Sequence, residues 1–290
     1  MIPRKRFYSC AFTLILLVLA AAHYASAQAP ALRLPRPSQK ASVMQTVGVT
    51  DITITYSRPA VKGRTIWGDV PADKLQTIKT ATGQPAAGEA TLDGAPGAGK
   101  EFPLEPNGHV WRAGANEATQ FIVTDDVLIN GQPLKAGTYS LHAIPGKDEW
   151  TIIFNGDAGQ WGSFTYDSKK DVLRVKAKPQ TVADNQENLL YTFDPVTDNS
   201  AQVNIRWEHV RVPFTVEVKD VKALTVEKLR AAVAAAKPDD WRTPFQAASY
   251  AINNKVADDE AMQWLDKSVK AKETFNNLAL KARVLAGQGL

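Results

Sequence analysis

Residues 136–155, AGTYSLHAIPGKDEWTIIFN, decide the fold class of this 290-residue chain. Two short segments within them, Thr138–Ile144 and Trp150–Asn155, have a dominant period of two, which predicts β-strands. Ala136-Gly137 and Pro145-Gly146 break the chain before and between these segments. The stretch therefore predicts two consecutive strands joined by a turn, as in an antiparallel sheet.

The period of two extends outward from this stretch, from Ala41 to about Lys219. Asp51–Tyr56 alternates apolar residues with threonine, and Asn130-Gly131 is a strong hairpin signal. Similar segments are Gln120–Thr124, Val127–Asn130, Val172–Ala177, Leu189–Phe193, Val203–Trp207 and Phe214–Val218. About nine short strands without intervening helical patterns predict a mainly β protein, an antiparallel β-sandwich or barrel.

One segment, residues 71–105, interrupts this pattern. It is rich in Ala, Gly, Pro and Thr, with GAPGAG at 94–99. Such a composition offers little to bury, so we expect a mobile surface insertion.

The period changes to 3.6 from Leu224, which predicts a C-terminal helical segment over residues 224–288. We expect helices over Thr225–Lys237, after a capping box at Thr243–Gln246, from Asp258, and from Thr274. The last helix carries apolar residues at Phe275, Leu278, Ala282 and Leu285. The segment is either a short repeat of tetratricopeptide type or a plain cap of three or four helices on the sandwich.

The N-terminus has the pattern of a cleaved signal peptide over residues 1–27. Arg4, Lys5 and Arg6 precede an apolar stretch at 11–22, and cleavage is expected after Ala27. Residues 28–40 (QAPALRLPRPSQK) predict a Pro-rich linker. We therefore expect a periplasmic or secreted protein with no membrane attachment after cleavage.

Removal of the signal also changes the charge and the thiol content. The chain has a formal net charge of +4, three charges of which lie in the signal, so the mature chain is near +1 and gives no reason to expect a nucleic-acid partner. Cys10, the one cysteine, is removed as well, which excludes disulfides and thiolate metal sites.

Four motifs carry a family resemblance: YSRPAVKGR at 56–64, VWRAGANEAT at 110–119, AGTYSLHAIPGK at 136–147 and WTIIFN at 150–155. Together they resemble the bacterial DUF2911 family, over most of residues 41–219, and the helical tail is similar to that of many members. The 71–105 insertion departs from the family pattern. The resemblance implies an exported β-rich protein and brings no established reaction.

The densest candidate binding segment is Trp111–Thr119. Trp111 could stack on a ligand, while Arg112, Asn116 and Glu117 could donate or accept hydrogen bonds. The alternative is a structural corner in which Trp111 belongs to the core, Arg112 pairs with Glu117, and Asn116 caps a turn.

A second candidate is the basic loop Arg58–Arg64, which carries Arg58, Lys62 and Arg64. If it folds near Arg112, the guanidinium groups could bind a carboxylate, phosphate or sulfate. A solvated turn is the alternative.

Catalytic residues are not evident; the candidates are Glu117 and His142, as acid and base. The histidines outside the signal (His109, His142, His209) are widely separated, so no metal site is predicted. The sequence has no nucleophile elbow, phosphate-binding loop, dinucleotide fingerprint or His-Glu-x-x-His, and we predict no cofactor. Trp67 and Trp161, each beside a glycine, could form an aromatic rim, whereas Trp150 and Trp207 are expected in the core.

Three hypotheses follow. The first is a non-enzymatic protein of the cell envelope that binds a glycan, peptide or organic anion. The second is an enzyme that acts on an envelope glycan or small metabolite through Glu117 and His142. The third is an interaction scaffold that contacts a protein partner through an apolar groove on the C-terminal helices.

Overall fold

The computed structural model describes residues 34–287. The predicted signal peptide and the first residues of the predicted linker lie outside this range. Within it the chain forms twelve strands, four α-helices and one 3₁₀-helix, Ser168–Lys170. The strands are β1 (Gln39–Val47), β2 (Thr50–Arg58), β3 (Trp67–Gly68), β4 (Glu105–Pro106), β5 (Thr119–Val123), β6 (Val127–Ile129), β7 (Gln132–Leu134), β8 (Gly137–Ile144), β9 (Trp150–Asn155), β10 (Asp171–Ala177), β11 (Gln180–Val196) and β12 (Ser200–Glu217).

Two antiparallel sheets enclose one hydrophobic core. The larger sheet has the order β1-β2-β5-β8-β9-β10 and the smaller the order β11-β12-β6-β7, while β3 and β4 form a separate parallel pair. In β2, Ile52, Ile54 and Tyr56 are buried in the core, as the alternation predicts. Phe154 of the larger sheet meets Phe214 of the smaller at a ring distance of 6.0 Å. The predicted antiparallel sandwich is confirmed.

The strand count exceeds the expected nine because β1, β3, β4 and β7 are not among the expected segments, while two expected segments form one strand in the long hairpin of β11 and β12. The segments Val203–Trp207 and Phe214–Val218 were expected as two strands, but they belong almost entirely to β12, which continues through Glu208. Glu208 has a positive φ of 54°, and the register with β11 shifts on both sides of its partner Gln186. Such a bulge interrupts the alternation of buried and exposed residues. The sequence therefore shows a break at a point where the strand continues.

The 71–105 segment has its own small core. Val70, Ile78, Leu92, Ala95 and Phe102 are buried together. The expectation that this segment has little to bury is therefore wrong: its apolar residues are few, but successive turns bring them into contact. Two acidic side chains of the segment, Glu89 and Asp93, also bond to arginines of the β-domain.

The helices are α1 (Val221–Ala235), α2 (Arg242–Asn254), α3 (Asp258–Ala271) and α4 (Phe275–Gly287). They share a hydrophobic cluster distinct from that of the sandwich. The first turn of α1 packs on the sandwich, where Gly48 lies against Val221. Further along α1, the Lys228 ammonium lies 2.8 Å from the Asp125 carboxylate. None of the helices within residues 34–287 combines the length and hydropathy needed to cross a bilayer.

Two details of the helical prediction are wrong. Helix α2 starts at Arg242 rather than after a capping box at Thr243–Gln246, because Asp240 accepts hydrogen bonds from the backbone N–H groups of Arg242 and Thr243. In α4 the buried residues are Asn277 and Leu280 rather than the predicted apolar stripe.

Candidate functional site

Four tryptophans meet at one end of the sandwich. Trp67 of β3 lies edge-on to Trp111, Trp150 and Trp207, with ring distances of 5.5, 4.8 and 5.6 Å, and Trp111 stacks on Trp207 at 5.9 Å. Trp111, Trp150 and Trp207 are at most 3% exposed, and only Trp67 is half-buried. The core positions expected for Trp150 and Trp207 are confirmed.

Trp111 therefore offers no stacking face to a ligand from solvent. Its indole Nε1 donates to the Gly114 carbonyl at 3.1 Å, and its backbone pairs with Ala143 of β8. The structural alternative for Trp111 is the one observed, because the ring completes the core at the end of the six-stranded sheet.

Above Trp67 lies a pocket of about 240 Å³. The β3–β4 pair, the β8–β9 turn and the β10–β11 turn converge there. Its aromatic lining residues are Trp67 and Trp150, and its polar lining residues are Asn107, Lys147, Gln180 and Thr181. We call this the Trp67 pocket.

The polar groups of the Trp67 pocket differ in how firmly they are held. Asn107 is fixed, because its side-chain amide donates to Asp69 at 2.8 Å and its backbone N–H donates to the Gly68 carbonyl at 2.8 Å. Lys147 is exposed and, within residues 34–287, forms no ion pair. The lining contains one cation and no carboxylate. The pocket can therefore offer part of an indole ring, amides and a single positive charge.

Arg112 lies in a different place and is buried. Its Nε lies 2.9 Å from Oδ2 of Asp93, and its Nη1 donates to the Asn116 carbonyl at 2.8 Å. The guanidinium also lies over the Phe164 ring, 5.2 Å from its centre. Asn116 has a positive φ of 61° and donates to the Ser38 carbonyl at 3.0 Å, which fits the turn-capping alternative. Neither predicted ligand contact lines the Trp67 pocket.

The ion pair of Arg112 belongs to a buried cluster of two carboxyl groups. Burial raises the pKa of Asp93, although Arg112 opposes the shift. Burial raises the pKa of Glu105 well above its usual range, and the negative charge of Asp93 raises it further. Both shifts favour the protonated form, so these two neighbouring carboxyl groups retain protons to a higher pH than free carboxylic acids do.

Both arginines of the basic loop donate hydrogen bonds to backbone carbonyl groups. Arg58 donates through Nε to the Leu189 carbonyl at 2.8 Å, whereas Arg64 donates to the carbonyl oxygens of Ala60 and Val61. The charge of Arg64 acts on Glu105, as does that of Arg112. Arg64 and Arg112 therefore share Glu105 as an acidic neighbour, whereas Arg58 bonds to β11.

His142 is enclosed. Its Nδ1 lies 3.0 Å from Oγ of Ser163, its Nε2 lies 3.1 Å from Oγ of Ser140, and the side chain is fully buried. Burial lowers its pKa to about 4, so the ring is neutral at physiological pH. Glu117 is half-buried, and its backbone bridges to Trp161. Neither candidate catalytic residue lines the Trp67 pocket.

Several residues of these two sites were missed by sequence reasoning. Asp93 and Glu105 lie within a segment whose composition suggested no role, and only the fold brings them to Arg112. Lys147 lies inside a family motif, AGTYSLHAIPGK, which was a usable signal. Within residues 34–287 no three His, Cys, Asp or Glu side chains converge in a way that could hold a metal ion.

Comparison with known proteins gives one match. A family model described as "Protein of unknown function (DUF2911)" covers residues 38–216. No curated protein and no solved structure matches the chain significantly.

Proposed function

The chain belongs to the DUF2911 family, whose description records no function, and we propose that it is an exported, non-enzymatic binding protein for a small acidic sugar or a similar organic anion. The ligand site in this proposal is the Trp67 pocket. Arg58, Arg64, Arg112 and Trp111 are assigned to the scaffold.

The observation that carries the proposal is the composition of that pocket. A partly exposed indole rests on three buried tryptophans, so its face is rigid and loses little entropy on binding. The apolar face of a sugar ring stacks on such a surface, while amides bind its hydroxyl groups. Lys147 is the only charge in the lining and has no competing acid there, which favours a ligand with one carboxylate.

The size of the pocket limits the ligand. A volume of about 240 Å³ is below the range of roughly 300–1,000 Å³ typical of drug-sized ligands. We therefore expect one sugar unit, or the end of a chain, rather than an extended glycan.

The enzymatic alternative has less support. A general base needs a pKa near the operating pH, and burial lowers that of His142 to about 4. Both of its ring nitrogens are already engaged by serine hydroxyls.

Export rests on the sequence alone. The basic, apolar and small-residue regions of 1–27 support a cleaved signal peptide, and an envelope location would expose the pocket to sugar acids of cell-wall or capsular material.

Calorimetric titration of the mature chain tests the proposal. We expect galacturonate or glucuronate to bind and the matched neutral sugars to bind at least tenfold more weakly, because a charge-assisted hydrogen bond contributes about 1.5–3 kcal/mol. Lys147→Gln should remove this preference, whereas Lys40→Gln, which changes an exposed lysine on β1, should leave it intact. Absence of binding to any sugar acid or organic anion, or unchanged preference in Lys147→Gln, would contradict the proposal.

A further inference from the structure

Helix α4 exposes an apolar stripe that its sequence pattern predicts to be buried. Phe275 is 85% exposed and Leu278 43% exposed, Ala282 is also exposed, and Leu285 is half-buried. The helix instead buries Asn277 and Leu280 against the rest of the tail. Its hydrophobic contact with the protein is therefore made by one face, while a second apolar face meets solvent.

The spacing of the stripe is that of a helix–helix seam. Its four positions are separated by three, four and three residues, the a/d spacing at which one helix packs along another. A helix that closes a helical stack normally presents a polar outer face. The stripe runs along α4, and within residues 34–287 none of its four residues belongs to the hydrophobic cluster that the helices share.

We infer that this stripe is the docking surface for α4 of a second copy of the chain, in an antiparallel arrangement about a two-fold axis. The stripe is complementary to itself when reversed. Phe275 faces Leu285 of the partner subunit, and Leu278 faces Ala282 of the partner subunit, so a large residue meets a small one at the centre. A two-fold interface requires this self-complementarity, because both subunits present the same patch.

The charges beside the stripe permit this pairing. Ala279 and Ala286 flank it on one side, and small residues allow two helices to approach closely. Lys281 flanks it on the other side, but its ammonium lies 2.7 Å from Asp266 of α3 in the same subunit. Each subunit therefore neutralises its own lysine, and like charges do not confront each other across the axis.

The length of α4 limits the affinity. Thirteen residues form a helix of about 20 Å. One such helix from each subunit covers less than the roughly 1,200–2,000 Å² of a stable interface. The dimer should accordingly be reversible, with a dissociation constant in the micromolar range or higher.

Sedimentation velocity of the mature chain over a concentration series tests the inference. The wild type should move from monomer towards dimer as concentration rises, and Leu278→Glu should weaken the association at least tenfold. Met44→Glu, at a 57% exposed position on β1, is the matched control and should associate like the wild type. A wild type that remains monomeric, or a Leu278→Glu variant that associates equally well, would overturn the inference, as would a dimer lost in both variants.

Cross-linking tests the orientation separately, because the mature chain lacks other cysteines. Under oxidation, a mixture of Phe275→Cys and Leu285→Cys proteins should form a disulfide-linked dimer more readily than either protein alone. Preferential linking of Phe275→Cys to itself would indicate a parallel pair and contradict the antiparallel arrangement.

Discussion

The variant Arg112→Met separates a structural role of Arg112 from a ligand-binding role. It keeps most of the side-chain volume but removes the cation beside Asp93, whose side chain is 1% exposed. Breaking a buried ion pair by removing one partner costs about 3–5 kcal/mol, because the remaining charge is left uncompensated. Since 11% of the Arg112 side chain is exposed and Asp93 can take up a proton, we expect a loss near the lower limit, about 3 kcal/mol, at pH 7.

Urea unfolding followed by tryptophan fluorescence measures this loss. Lys135→Met is the matched control: it removes an ion pair whose side chains are 83% and 60% exposed, and should lower the free energy of unfolding far less than Arg112→Met does. The double variant Arg112→Met/Asp93→Asn should recover much of the stability, because it removes the orphaned charge. If Arg112→Met costs no more than Lys135→Met, the assignment of Arg112 to the scaffold is refuted.

Three further predictions concern stability. His142 takes up a proton at its ordinary pKa of 6.5 in the unfolded chain but only near pH 4 in the folded chain. The free energy of unfolding of the wild type should therefore fall by up to about 3 kcal/mol as pH decreases from 6.5 to 4. Urea titrations at several pH values should find this loss in the wild type and not in His142→Gln. Glu105 has the opposite sign, because its raised pKa makes the folded state lose stability as pH rises above the ordinary value of 4.5. The stability of Glu105→Gln relative to the wild type should therefore increase between pH 4.5 and pH 8 in the same urea titrations, and a difference that does not change with pH would contradict the raised pKa. Gly48→Ala should lower the melting temperature more than Gly83→Ala does. Both glycines have a positive φ, but only a Cβ at position 48 would lie 2.5 Å from the Val221 side chain. Equal effects would show that this contact is unimportant.

The sequence predicts the sandwich because most strands bury one face. The alternation in β2 and the breaks around β8 follow directly from that geometry. The extent of β12 could not be predicted, because the bulge at Glu208 interrupts the period while hydrogen bonding to β11 continues. The two-residue strands β3 and β4 are too short to leave a periodic pattern.

The candidate sites were predicted less well, for a different physical reason. The tryptophan, arginine and asparagine of Trp111–Thr119 would suit a ligand site and a core corner equally well, and only their burial in the fold distinguishes the two. Asp93 is 19 residues before Arg112 in a segment of unremarkable composition, so their contact depends on tertiary packing alone. The Trp67 pocket is assembled from three separate turns, which no local pattern identifies.

Indole N–H resonances test most directly whether a small acidic sugar binds at Trp67. The chain has seven tryptophans, so seven indole signals can be followed during a galacturonate titration, with Trp67→Phe identifying one of them. We predict a saturable shift of the Trp67 signal, with the exposed Trp161 signal unchanged. A shift confined to Trp161, or no shift of any indole signal with any sugar acid, would contradict the account.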